Sequence, residues 1–226
     1  MGTHCNLLGM CWRRETRTML RQWLVCMGMM FFLVSCGSGP NRLEILQHKK
    51  ETLAARKDKD KFFKTSKDSP LLNEQQWKFK ELSYFPVDIA FKVMAHYERL
   101  PSPVEFRIQT STGHERVYVT IGRFDFTLGN KKMSLFAYHE KGQGASGRNS
   151  LFVPFTDLTT GKETYGAGRY LDVEEPPGDS TVLDFNLAYN PYCAYNYNFS
   201  CPIPPSENRL GLEVKAGEKL FPLGQP

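Results

Sequence analysis

From about Phe79 onward the chain is cut into short segments rich in Val, Ile, Phe, Tyr and Thr, each closed by Gly, Pro, Asn or Asp. Segments of this kind read as β-strands. Candidates are 91–98, 104–109, 116–121, 124–128, 132–138, 151–155, 169–173, 181–188 and 210–214. Strands that recur every ~8–12 residues without helices between them cannot form a parallel α/β sheet, and point to a mainly β domain, an antiparallel β-sandwich or a partly open barrel. Gly129-Asn130 and Ser111-Thr112-Gly113 supply the tight turns that hairpins need. The glycines between 142 and 147 fall between strands and open no helix, so they read as a mobile loop and not as a phosphate cradle.

Ahead of this β-rich body, from 79 to 226, the composition is different. Residues 42–66 are rich in Lys, Glu, Leu and Ala and contain no Pro or Gly, which predicts a helix with Leu43, Leu46 and Leu53 as a narrow apolar stripe. Ser69-Pro70 ends this element, and 71–80 can add a short turn of helix. The domain reading is therefore a single globular domain over 42–226, preceded by a flexible leader at 36–41.

The first 35 residues read as an export signal. Arg13, Arg14, Arg17 and Arg21 precede an apolar run of 11 residues, 24–34, too short for the roughly 20 residues of a spanning helix. Leu33-Val34-Ser35-Cys36 follows and resembles the bacterial lipobox, in which cleavage leaves a lipid-bearing cysteine at the new N-terminus. By that resemblance Cys36 carries diacylglycerol and an N-acyl chain such as palmitate, and tethers the protein to a membrane. Gly37-Ser38 lacks an acidic retention residue, so the same sorting rules imply the periplasmic face of an outer membrane. Met19-Leu-Arg-Gln-Trp23 already forms a complete short n-region, which makes Met19 an alternative start.

Removing the signal changes the charge and cysteine arguments. The whole chain carries a formal +5, but residues 1–35 hold four Arg and one Glu, leaving +2. Residues 42–68 alone carry +4, so the β-rich body has no basic surface of the kind that neutralises phosphates, and nucleic acid is excluded as a partner. Only Cys193 and Cys201 remain as thiols, and in an exported setting such a pair is expected to close as a disulfide. Metal ligation is the alternative, but zinc normally takes four ligands and no second cysteine pair exists, so the sequence predicts neither a metal nor a cofactor.

Unusual chemistry gathers in the last third, in Thr164-Tyr-Gly-Ala-Gly-Arg-Tyr-Leu171, then Leu183-Asp-Phe-Asn-Leu-Ala-Tyr-Asn-Pro-Tyr-Cys-Ala-Tyr-Asn196, then Cys201-Pro-Ile-Pro-Pro-Ser-Glu-Asn208. With Ser69-Pro-Leu71 and Tyr84-Phe-Pro-Val-Asp88, these blocks resemble the uncharacterised domain-of-unknown-function family numbered 1684. The resemblance runs through most of the chain after Cys36 and supplies no activity and no catalytic residues.

Along 181–188, alternation sends Leu183, Phe185 and Leu187 to one face and Asp184 and Asn186 to the other. Asn190-Pro191 then forces a turn, and Tyr189, Tyr192, Tyr195 and Tyr197 enter the segment flanked by the two cysteines. Two glycines beside Arg169 allow close backbone approach to a ligand. These features predict a polar and aromatic site built by Tyr165, Arg169, Asp184, Asn186, Asn190, Tyr192, Glu207 and Asn208, suited to a carbohydrate or other polar small molecule. Two other readings stand beside it. One is a hydrolase, acting on glycans, with Asp184 and Glu207 as paired carboxylates. The other is a structural or interaction protein in which Asp184 and Glu207 pair with Arg169 and Arg209 and the amides satisfy backbone groups. His96, His114 and His139 show no ligand spacing and no nucleophile elbow accompanies them.

Overall fold

Strand β1 (Lys92–Gln109) is about three times as long as an ordinary strand and joins two of the expected segments through an irregularity between Arg99 and Val104. It forms a hairpin with β2 (Glu115–Leu128), which likewise fuses two expected segments, here across a register shift between Thr120 and Gly122. Gly122 is required at that shift, because a Cβ there would lie 2.5 Å from the Tyr97 ring and 2.8 Å from the Glu98 carbonyl. Gly129, with φ +60°, turns β2 into β3 (Lys131–Glu140) at the expected hairpin. Strands β4 (Ser150–Phe155), β5 (Arg169–Glu174) and β6 (Ser180–Asp184) complete a six-stranded antiparallel sheet of order β5-β4-β3-β2-β1-β6. The molecule is seen in a computed structural model, which describes residues 39–142 and 150–222. The predicted export signal, Cys36 and most of the 142–147 loop lie outside the described residues.

The sheet curls until its two edges nearly meet. The chain leaving β6 crosses to β5, where the Tyr170 and Tyr189 amides each donate to the other's carbonyl at 2.9 and 3.0 Å. The mainly β, partly open barrel predicted by strand spacing is therefore the observed architecture. Inside it lies the main core, including Phe124, Leu135, Leu151, Val153, Phe155, Leu183 and Phe185, each buried.

Two expected strands differ. The segment 181–188 stays extended only to Asp184, whose side chain then accepts from the Asn186 amide and starts a tight 3-10 turn over Phe185–Leu187. Alternation stops there, so Leu187 is exposed instead of joining Leu183 and Phe185. The segment 210–214 forms no strand, because the Val214 carbonyl bonds to the Arg169 guanidinium at 2.8 Å and not to a neighbouring strand.

Helix α1 (Arg42–Thr65) forms where expected, but with its faces reversed. His48, Thr52, Arg56 and Phe63 are the buried residues, while Leu43, Leu46 and Leu53 are 78%, 54% and 40% exposed. The inner row bonds polar groups of the barrel. His48 pairs with Asp184 at 2.6 Å, Arg56 donates to the Phe85 and Asn186 carbonyls, and Asp60 accepts from the Leu82 amide. Only at its C-terminal end does α1 pack by apolar contact. There Phe63 meets Phe79, Leu82, Tyr195 and Phe221 in a second, smaller cluster. A short helix α2 (Asn73–Lys78) follows, at the position read from 71–80. By internal packing Arg42–Pro226 is one unit with its own core.

Candidate functional site

A second covered surface lies on the outer face of the barrel. Period-two geometry sends Leu151, Val153 and Phe155 of β4 inward, which turns Phe152 outward beside Tyr170 and Asp172 of β5. Tyr118 of β2 and Tyr138 of β3 share this face. The segment 189–202 arches over it and leaves a cleft of about 910 Å³. Lys59 and Phe62 of α1 line it, together with Tyr192, Phe199 and Cys201 of the arching segment.

The wall is a continuous run of rings. Tyr118 stacks on Phe152 with centroids 5.5 Å apart, Phe152 meets Tyr170 edge-on at 4.7 Å, and Tyr170 meets Tyr189 edge-on at 5.8 Å. Tyr192 and Phe199 of the arching segment, which also line the cleft, form another edge-on pair at 5.2 Å. Such pairs hold one another in fixed orientation, each contributing about 0.5–1.5 kcal/mol beyond the area they bury.

Polar groups gather at two ends. At one, the Tyr189 hydroxyl donates to Asp172 at 2.7 Å, and Lys59 stands 4.8 Å above the Tyr189 ring while pairing with Glu218 at 2.5 Å. Asp172 opens toward the cleft, yet the protein crowded around it pushes its pKa up by desolvation, against the lowering effects of the Tyr189 hydrogen bond and the Lys59 charge. At the other end Arg116 donates to the Ser200 carbonyl at 2.8 Å and reaches Glu140 at 3.4 Å. The Tyr118, Tyr138, Tyr170 and Tyr189 pKa values are all raised by burial, so these phenols stay protonated donors at neutral pH. The Nε2 atom of His139, which also lines the cleft, is buried without a hydrogen-bond partner.

Of the eight residues predicted to build the site, Tyr192 lines this cleft, Glu207 is exposed away from it, and the other six hold the fold. Arg169 is fully buried and pairs with Asp157 at 2.8 Å, not with Asp184, while bonding the carbonyls of Val214, Ala216 and Glu218. Asp184 faces His48, and Asn186 bonds the Asp88 backbone through both ends of its amide. The Asn190 side chain donates to the Lys219 carbonyl and its amide N–H to Glu218. Asn208 bonds both the N–H and the carbonyl of Phe136, and the Pro154 carbonyl. It bridges β3 and β4 where their ladder is reduced to the single pair Tyr138–Phe152. Tyr165 rests against the second cluster with its hydroxyl 3.6 Å from Cys193, and Glu207 sits exposed on a 3-10 turn beside Ser206. The close approach that Gly168 permits, at φ +89°, is to the Phe155 carbonyl and Pro204, not to a ligand. Asp184 and Glu207 therefore do not face each other across a cleft; the cleft's own carboxylates are Asp172 and Glu140.

Cys193 and Cys201 are both buried and lie against each other, with the Cys193 backbone amide donating to the Cys201 sulfur at 3.2 Å. Donation from Cys201 is the main influence lowering Cys193, to a pKa of about 6, and the same bond raises Cys201. Among the described residues no group of three His, Cys, Asp or Glu side chains converges as a metal site would require, and no helix is long and apolar enough to cross a membrane.

The rings of Tyr118, Phe152 and Tyr170 were missed because they look like ordinary strand residues. One signal marks Phe152 among them. The run Leu151-Phe-Val-Pro-Phe155 is apolar at successive positions, the pattern of a strand covered on both faces.

Comparison with known proteins places this geometry in a family. The chain is similar to the uncharacterized protein from gene locus rrnAC0354 of Haloarcula marismortui, known from a solution NMR structure. The two are 36% identical over 77% of this chain and 95% of that one, with a TM-score of 0.60. No functionally curated protein matches. Residues 77–219, which span the entire barrel, match the model of the protein family of unknown function DUF1684, and the chain belongs to that family.

Proposed function

We propose that the protein is a lipid-anchored component of the cell envelope that binds a ligand with flat apolar faces and polar edges, a carbohydrate by class, in the aromatic cleft. The observation that carries this reading is the continuous ring wall, Tyr118–Phe152–Tyr170–Tyr189, which with the Tyr192–Phe199 pair lines a cleft of about 910 Å³. A volume of that size holds a small oligomeric or drug-sized ligand. Sugar rings present C–H faces that lie on aromatic side chains, and hydroxyl edges that Asp172, Glu140 and the neutral phenols can bond. Because the rings are braced before any ligand arrives, little ordering is lost on binding.

Calorimetric titration with a panel of glycans tests the cleft. At least one class should bind, and Tyr192→Ala with Phe199→Ala should weaken it by about tenfold or more, equivalent to about 1.4 kcal/mol. Retained affinity in that double variant, or no binding by any glycan, refutes the carbohydrate reading.

The anchor is supported by the Leu33-Val-Ser-Cys36 pattern behind a basic and then apolar leader. It puts the protein in an exported compartment, on the periplasmic face of an outer membrane. In that setting the contact between Cys193 and Cys201 favours a disulfide. Mass analysis of the cellular protein should find Cys36 at the N-terminus bearing acyl chains, and an unmodified Cys36 would exclude the anchor.

A further inference from the structure

The reversed faces of α1 leave an organised surface that none of the described residues covers. On a helix, residues three and four apart share a face, and Leu43, Leu46, Lys50, Leu53 and Lys57 follow one another at such steps. They form a single row on the side opposite His48, Thr52 and Arg56. All five are exposed, and every residue of α1 from Arg42 to Gln47 is exposed as well. The acidic residues Glu44, Glu51 and Asp58 fall on a neighbouring flank, leaving the row itself purely apolar and cationic. The row cannot turn inward, because rotating α1 breaks the His48–Asp184 pair and the Arg56 bonds to the Phe85 and Asn186 carbonyls.

We infer that this leucine–lysine row of α1 lies on an anionic lipid bilayer. Three features select that occupant. Leucines interleaved with lysines are the composition of helices that lie in the headgroup layer, where apolar side chains enter the acyl boundary and lysine stems reach back to phosphates. The charge is complementary, since residues 42–68 carry +4 while the rest of the chain beyond them is net acidic and keeps away from the surface. Reach is sufficient too: only residues 37–41 separate Cys36 from Arg42, a span of about 20 Å when fully extended. The inference rests on the reading of Cys36 as the anchor, and the row adds to it an orientation, fixing α1 flat against the surface.

Residues 37–226, without lipid, should co-sediment with phosphatidylglycerol vesicles about tenfold more than with phosphatidylcholine vesicles. The Leu43→Ser, Leu46→Ser, Leu53→Ser triple variant should lose about tenfold or more of that binding with unchanged thermal unfolding, and Lys50→Glu with Lys57→Glu should erase the preference for phosphatidylglycerol. No co-sedimentation, or undiminished binding by the triple variant, overturns the inference. So does a concentration-dependent dimer that the leucine substitutions abolish and vesicles do not dissociate, since the occupant is then a second copy. The anchor fails separately: this chain carries no lipid and tests the row alone, whereas mass analysis of Cys36 tests the anchor alone.

Discussion

Replacing Arg169 with Met should remove about 3–5 kcal/mol of stability, measured as a fall in the urea midpoint at unchanged slope. The guanidinium is fully buried and pairs with Asp157, which is itself buried. It also bonds the carbonyls of Val214, Ala216 and Glu218, so three backbone acceptors of one strap depend on one side chain. Methionine fills much of the volume but leaves those carbonyls without donors and the Asp157 charge without its cation, held by the Thr159 amide and hydroxyl, and an unpaired buried charge is far more costly than a missing attraction. Arg169→Lys separates charge from geometry. It keeps the ion pair with Asp157 but cannot reach all three carbonyls, and should recover only part of the loss. A drop below about 1 kcal/mol in the Met variant would show that the strap is held by its apolar residues instead.

Glu218→Ala should cost a similar amount, about 3–5 kcal/mol, by the same chemistry at a different joint. The carboxylate accepts from the Tyr195 hydroxyl at 2.5 Å and the Asn190 amide at 2.8 Å, and pairs with Lys59 of α1. Tyr195 is fully buried in the second cluster, so its hydroxyl has no water to turn to. Lys59 is partly exposed and can re-solvate, which places most of the penalty on the phenol and the amide. Glu218→Gln keeps an acceptor for both and should cost less than half as much in the same denaturation assay. Equal losses in the two variants would assign the effect to the Lys59 charge pair.

Both sites show what sequence can and cannot disclose. The strands and hairpin turns were legible because their signals are local: alternation over a few residues, and glycine at Gly113 and Gly129 where φ is positive. Fusion of neighbouring segments into β1 and β2 was not, since an irregularity within a long strand resembles a turn. On α1, Leu43, Leu46 and Leu53 were read as the packing stripe because leucine usually seeks a core. The partners that decided otherwise, such as Asp184, 136 positions from His48, are invisible to a local pattern. In the last third, Arg169, Asn186, Asn190 and Asn208 drew attention as polar groups in an aromatic context. They are there because irregular backbone needs donors and acceptors that no strand provides. The cleft rests on Tyr118, Phe152 and Tyr170, whose strand-like surroundings concealed a second buried face.

The barrel's closure has a consequence for the cleft beside it. Around most of the circumference neighbouring strands are joined by ladders, but β5 and the segment after β6 meet through the single pair Tyr170–Tyr189. A ring fastened at one pair behaves as a clasp and not as a hoop. Parting it costs two backbone hydrogen bonds, the Tyr189–Asp172 bond and the Tyr170–Tyr189 ring contact, while the interior core is knit by the other strands. Tyr170 and Tyr189 are also panels of the cleft wall, so releasing the clasp changes the width of the cleft without unfolding the barrel. On the proposed reading of the cleft as a binding site, the largest ligand it admits would depend on this clasp as well as on the volume seen with it shut.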